Sequence, residues 1–362
     1  MAKELSIFSV INVVYVFGKI FGMAPYTKKP KGLGYANTYR INLNGCCNIG
    51  IILFLSSMMF YCFVQMIIIR QQENYFNKLN TIVCVLQAMR LISAVTTMLS
   101  FYFVQDSFID AFDKLYHFDG KKRSFATINY TWYRNLSCLF ISLAVCLIVT
   151  VEIVMGEKPT ITILDTFSNG IQLLIHLLAL VYFELYVIIL INNFKFLKTT
   201  AEYFNSNYHK CPKHMIKIIS TMYDDLCKGA GAINQAFTFP LFSLVSLNFM
   251  EILLGAYALT NVHNRNFRFI YWTTFYSVQL GFMLIPAGSV EGKANEISKY
   301  LAEANLEPDE EVLKERNHFL LRTLHQTVDF TACGFFPIST SAIVGQFSIS
   351  ISFLFFMFQI VT

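Results

Sequence analysis

Charged residues stand alone inside long apolar runs, among them Arg90, Glu152 and Glu251. An ionised side chain surrounded by hydrocarbon is costly, so it pairs, meets water or serves a ligand. Arg90 and one of the glutamates fit either a structural ion pair or a binding contact. Trp272 and Tyr276 present the same choice. They suit the wall of a small-molecule pocket, or a belt of aromatics at a membrane interface.

The segment from Ser339 to Thr362 carries a second pattern. Ser341, Gly345, Ser348, Ser352, Phe355 and Gln359 recur at steps of four and three. That is a heptad-like seam on one helix face, and all but Phe355 are polar or small. A second polar line, Ser339, Gln346 and Ser350, lies nearly opposite. A polar stripe in lipid is expensive unless it faces water or protein. The seam therefore fits a water-filled pathway, and it equally fits close helix packing through small residues.

Covalent catalysis finds little support. The chain has no H-E-x-x-H, no Gly-x-Ser-x-Gly and no paired aspartates within apolar runs. The nine cysteines form no C-x-x-C pair and mostly sit among apolar residues, where they act as small hydrophobes. His209, Cys211 and His214 lack a fourth ligand at familiar spacing, so no metal or other cofactor is implied.

The elements that position these residues follow from composition. Of 362 residues, 55% are hydrophobic and only 14% charged. A soluble domain carries about a quarter charged residues, so a soluble enzyme and a disordered chain are both excluded. Seven stretches are long enough to cross a bilayer: 46–69, 82–104, 136–155, 167–191, 236–260, 269–290 and 335–361. An eighth, 5–21, is shorter and reads as an interfacial or re-entrant helix.

The 28 cations are split unevenly among the connections. Lys3, Lys19, Lys28, Lys29, Lys31 and Arg40 precede the first span, and comparable clusters follow spans two, four and six. The opposite connections hold only Arg70, Lys78, Lys158, Arg265 and Arg268. The positive-inside rule then predicts a cytoplasmic N-terminus and, after seven spans, an extracellular C-terminus. The expected fold is all-α: a polytopic membrane protein with seven transmembrane helices.

The inner connections are long. Apolar residues at helical spacing mark Ile216, Ile219, Met222 and Leu226, and again Leu313, Phe319, Leu320 and Leu324. The predicted organisation is a cytoplasmic N-terminal segment (1–45) and six spans (46–290) that carry a cytosolic helical extension (192–235). A cytosolic helical segment (291–334) and a final span (335–362) follow. The long segments are expected to form a cytosolic bundle.

The C-terminus resembles the signature of insect gustatory receptors: Thr-Tyr, five hydrophobic residues, then Gln-Phe. Here it reads Ser352-Phe353, Leu354 to Phe358, then Gln359-Ile360. Phe330-Thr-Ala-Cys-Gly-Phe-Phe336 and Phe21-Gly-Met-Ala-Pro-Tyr26 resemble further stretches of that family. The resemblance implies a tastant-gated, non-selective cation channel (Na, K, Ca), tetrameric with itself or with relatives. It would sit in membrane lipid, multi-pass in the plasma membrane of a sensory neuron, with no role for nucleic acid. It also implies that the last helix lines a central pore, with Gln359 and Ile360 at the outer gate and Phe355 or Phe356 a turn deeper. Ser352 and Phe353 would tune gating, with Ser348 and Gly345 further down the pore face. Rings of large apolar groups can close a narrow pore by dewetting.

By the same resemblance, ligand binds in the outer half of the first six spans. Topology then nominates Arg90, Glu152, Gln172, His176, Asn248, Glu251, Tyr257, Trp272, Tyr276 and Gln279, with Gln65 and Asn169 beside them. The sugar-sensing branch carries glutamate after the signature tyrosine, and here that residue is Leu354. A bitter-type or divergent receptor is therefore expected. A G-protein-coupled receptor and a small-solute transporter are the alternatives. The first lacks D-R-Y and N-P-x-x-Y and has the opposite topology. The second should show inverted repeats, which Pro240, Pro286 and Pro337 do not mark.

Overall fold

The computed structural model describes residues 7–24, 27–28, 35–36, 43–72, 78–122, 159–207, 212–261, 267–303, 310–326 and 328–361. The third expected span, with Glu152, lies outside the described residues. The fold is all-α apart from two short hairpins. Its helices are α1 (Ile7–Ile20), α2 (Leu43–Gln72), α3 (Lys78–Phe103), α4 (Gln105–Lys122), α5 (Pro159–Asn207), α6 (Pro212–Asn261), α7 (Phe267–Glu303), α8 (Glu310–His325) and α9 (Thr340–Val361). Strands β1 (Thr27–Lys28) and β2 (Tyr35–Ala36) pair antiparallel, as do β3 (Thr331–Ala332) and β4 (Phe336–Pro337).

Four described helices contain segments long and apolar enough to cross a membrane: Cys46–Ile69, Thr81–Phe103, Thr166–Tyr203 and His214–Ala258. The expected sixth and seventh spans fall in α7 and α9. Helices α5 and α6 run 49 and 50 residues without a break, well beyond the ~20 that a bilayer needs. Pro240 and Pro286 sit inside α6 and α7. Proline is tolerated in such helices where neighbours satisfy the carbonyl freed four residues before it.

The core sits where α3, α4, α5 and α6 meet. Phe101 stacks on Phe108 at 4.6 Å, and Phe108 and Phe183 both meet the edge or face of Phe237. Tyr182 and Phe330 close the cluster. Offset and edge-on ring pairs of this kind add about 0.5–1.5 kcal/mol each beyond the area they bury. Helix α1 packs on α5 with Ile11 and Val14 buried and Val16 and Ile20 exposed.

At the end that the charge pattern places inside, ion pairs tie the long helices together. Arg322 of α8 meets Asp224 of α6 at 2.5 Å, Lys121 of α4 meets Asp225 at 2.6 Å, and Lys198 of α5 meets Glu296 of α7 at 3.2 Å. Hydrogen bonds from Lys293 first, and then Lys198, hold the Glu296 carboxyl below its usual range. Half-buried pairs open to solvent add only modest stability each.

The last expected span begins later than its apolar run suggests. Residues 331–337 form a hairpin, and helix starts only at Thr340. The connection spans three residues, 333–335, and Phe335 N donates to the Ala332 carbonyl at 3.0 Å across a turn whose two central residues, Cys333 (φ 51°) and Gly334 (φ 72°), both have positive φ. Asn234 and Thr238 of α6 anchor this hairpin. Thr331 N donates to Asn234 Oδ1 and Cys333 N to Thr238 Oγ1, both at 2.8 Å. Gly334→Val is expected to cost about 1–2 kcal/mol through the left-handed conformation, and Cys333→Gly to be neutral or stabilising. Thermal unfolding of the purified protein would reveal the opposite order if the turn were not what matters.

Candidate functional site

Helices α3, α5, α6 and α7 each present polar or aromatic residues at helical spacing. The sets are Gln87, Arg90, Ser93 and Thr97; Asn169, Gln172 and His176; Asn248 and Glu251; and Trp272, Tyr276 and Gln279. Every one of them is buried. Spacings of three and four keep each set on one helix face. Four apolar helices therefore turn their few polar residues inward, as a lipid environment requires.

Arg90 is the centre of the arrangement. Its Nε and Nη2 donate to Glu251 Oε1 and Oε2 at 2.5 and 2.9 Å, a two-pronged ion pair between α3 and α6. Its Nη1 donates to Asn169 Oδ1 of α5 at 3.5 Å. The guanidinium carbon lies 5.1 Å from the centre of the Trp272 ring and 5.6 Å from that of Tyr276. Arg90 thus joins all four helices, using its donor edge for the carboxylate and its flat face for the rings. A planar, always-charged guanidinium can do this where lysine cannot. Beside the pair lies a cavity of about 30 Å³, lined by Val83, Leu86, Gln87, Arg90, Glu251, Gly255 and Trp272. That is roughly the space of one water.

Below the pair, α3 and α6 touch again, where the Ser93 and Ser243 hydroxyls lie 2.8 Å apart. Gln172 Nε2 donates to Ser168 at 3.0 Å. His176 lies within the field of Arg90. Asn248 and Gln279 are 1% and 4% exposed, and none of their side-chain amide atoms finds a hydrogen-bond partner among the described residues.

Of the isolated charges, Arg90 and Glu251 are brought together across 161 residues, while Glu152 lies outside the described residues. Trp272 and Tyr276 are buried inside the bundle, packed with Leu173 and Leu177, and are not an outward-facing belt. Tyr257 and Gln65 are half-buried. Gln87, Ser93 and Ser243 escaped the sequence reading. The signal for the first two was present, since each lies three residues from Arg90 on its helix.

Among the described residues, helix α9 packs chiefly against α6 and α7. Ser341, Gly345, Ser348, Ser352, Phe355 and Gln359, the whole heptad-like seam, are exposed on this chain. On the opposite line, Ser350 is buried and Ser339 half-buried. Ser348 and Ser352 satisfy their hydroxyls on the carbonyls four residues back, at 3.0 and 2.9 Å. Phe353 is half-buried; the side chains of Phe356 and Ile360 lie outside the described ones. A cleft of about 420 Å³ separates part of α9 from α6, between Val245, Ser246 and Phe249 on one side and Ser341, Gly345 and Ile349 on the other. Helix α6 therefore carries Glu251 on one face and borders α9 with another.

Three comparisons bear on this arrangement. A family model described as 7tm chemosensory receptor matches residues 11–361. A Drosophila melanogaster protein that carries the name gustatory receptor 28b is 27% identical over 143 residues, which is 36% of this chain and 30% of that protein. The chain thus matches less than a third of the length of that relative. The solved structure of the insect olfactory receptor OR5 from Machilis hrabei superimposes with a TM-score of 0.71 over 97% of both chains, at 11% identity. The same receptor in complex with eugenol gives 0.72 at 10% identity, again over 97% of both.

Proposed function

The chain belongs to the 7tm chemosensory receptor family, and from that premise we propose that it is a gustatory receptor acting as a tastant-gated, non-selective cation channel. It resides in the plasma membrane of a sensory neuron, with its N-terminus inside, and assembles as a tetramer of itself or with related subunits. The observation that carries this reading is the exposure of the complete α9 seam on a single chain. A polar, serine-rich face in a membrane needs water or partner subunits to cover it. Four copies around one axis supply both, with Gln359 and Ile360 near the outer mouth and the phenylalanines below.

The ligand is held among the four inward stripes around Arg90. The OR5 receptor was solved in complex with eugenol, and the cavity of about 30 Å³ beside Arg90 must widen to admit a molecule of that size. Binding there loads α6 on the Glu251 face, and the same helix borders α9. A ligand that binds better when α6 has shifted will draw the pore open by that difference in affinity alone. Leu354, where the sugar-sensing branch has glutamate, favours a bitter-type or divergent specificity.

Whole-cell recording with a tastant panel tests the reading. A cation current reversing near ~0 mV is expected of a pore that does not select among cations. A tag after Thr362 should stain on intact cells and a tag before Met1 should not. The reverse staining pattern would favour a G-protein-coupled receptor instead.

A further inference from the structure

The polar core has two layers, and they differ in kind. The layer nearer the α6–α7 connection holds Arg90 and Glu251, each the other's partner through two hydrogen bonds. Asn169 and the Trp272 and Tyr276 rings take up the remainder of the guanidinium. One turn further from that connection, α6 presents Asn248 and α7 presents Gln279. Both are more than nine-tenths buried, and both leave a whole primary amide, one oxygen and one nitrogen, without a partner among the described residues. Gln172 Oε1 on α5 is in the same position.

Buried amides without partners are costly, and proteins supply water or a ligand to meet them. Among the described residues nothing formally charged stands in this second layer, and the Arg90 and Glu251 charges above it cancel each other. An ammonium or carboxylate brought here would lose its hydration shell and find no opposite charge free to replace it. A neutral group that both donates and accepts would meet Asn248 and Gln279 without that loss.

We propose that this site selects an uncharged small molecule bearing hydroxyl, amide or carbonyl groups, with Asn248 and Gln279 as its specificity-determining contacts, and rejects amines and acids of the same shape. The inference rests on the reading above that the polar core is the tastant site. The ion pair is the neutral cap of the site and not its bait.

The chain has two tryptophans, and Trp272 lines the cavity beside the pair. In the full chain with Trp132→Phe, emission therefore reports Trp272 alone. The purified protein is titrated at neutral pH with two matched sets: acetamide, ethylammonium and acetate; and benzamide, benzylammonium and benzoate. Thermal-shift titration of the unsubstituted protein with the same sets guards against a folding defect in the Trp132 variant. At least one uncharged member is expected to bind saturably, about tenfold or more tighter than both its charged counterparts. Asn248→Leu and Gln279→Leu are each expected to weaken that binding about tenfold.

Equal or tighter binding of a charged member overturns the proposal. So does failure of both uncharged members to bind, which would leave the two amides to structural water. Binding unchanged in both leucine variants overturns it as well. Neither readout depends on conduction. Selective binding without any tastant-evoked current would sink the channel reading and leave this one standing, whereas currents evoked only by amines or acids would do the reverse.

Discussion

Replacing Arg90 or Glu251 alone with methionine is expected to destabilise the protein by about 3–5 kcal/mol, because the remaining partner is left as an unpaired buried charge. The two residues are 5% and 2% exposed, so bulk solvent does not reach the charge left behind. The double variant Arg90→Met with Glu251→Met removes both charges and should recover most of that loss, since a well-packed apolar pair is often as stable as the ion pair it replaces. The loss would be read as the unfolding temperature of detergent-purified protein and as the fraction reaching the cell surface. A double variant as damaged as either single one would show that Arg90 is held by Asn169, Trp272 and Tyr276 more than by Glu251. The cycle also separates stability from function. If the pair links the ligand layer to α6, the recovered double variant should fold yet respond poorly to tastant.

The second large effect concerns the end of α9. Under the channel reading, Ile360→Ala opens the narrowest apolar ring and Gln359→Ala removes the amides that solvate passing ions. Truncating a buried isoleucine costs roughly 2–5 kcal/mol where it is well packed, and every 1.4 kcal/mol taken from the closed state multiplies the open fraction about tenfold. Ile360→Ala is therefore expected to raise tastant-independent leak by about tenfold or more, and Gln359→Ala to alter cation selectivity with a smaller leak. Permeation identical to the parent in both variants would remove α9 from the pore. Phe355→Ala is a useful third case. Its side chain is 67% exposed on the single chain, so an increase in leak there would argue that another subunit covers it.

Much of the architecture was legible beforehand because a membrane imposes simple rules. A span must be apolar for about 20 residues, and polar residues within it must turn away from lipid. Those rules located α2 and α3 to within a few residues and placed spans inside α5, α6 and α7, which run well beyond them. They failed at the start of α9, where Phe330 to Ile338 is apolar enough to pass for helix. There the backbone follows Cys333 and Gly334 into a turn anchored on Asn234 and Thr238. Hydropathy cannot register a positive φ, and the anchors lie almost 100 residues upstream.

The phenylalanines teach the same lesson. Four of them crowd the end of α9, yet among the described residues the tightest ring cluster is elsewhere. It gathers Phe101, Phe108, Phe183, Phe237 and Phe330 where four helices meet and the segment before β3 closes in. Composition counts apolar surface and says nothing of which surfaces meet.

The sequence by itself determined the class of molecule, the apolar runs that lie in α2, α3, α5, α6 and α7, the polar seam on the last helix and the isolated charges, such as Arg90 and Glu251, that needed an explanation. These are properties of a residue and its near neighbours along a helix of 3.6 residues per turn, set against a solvent that rejects charge. Only the tertiary structure decided that Arg90 pairs with Glu251, that Trp272 and Tyr276 turn inward onto the guanidinium, and that the amides of Asn248 and Gln279 find no partner among the described residues beneath the pair. A hydrogen bond is settled by distances of tenths of an ångström between groups far apart in the chain. Helix rotation and packing set those distances, and they depend on every other contact in the bundle.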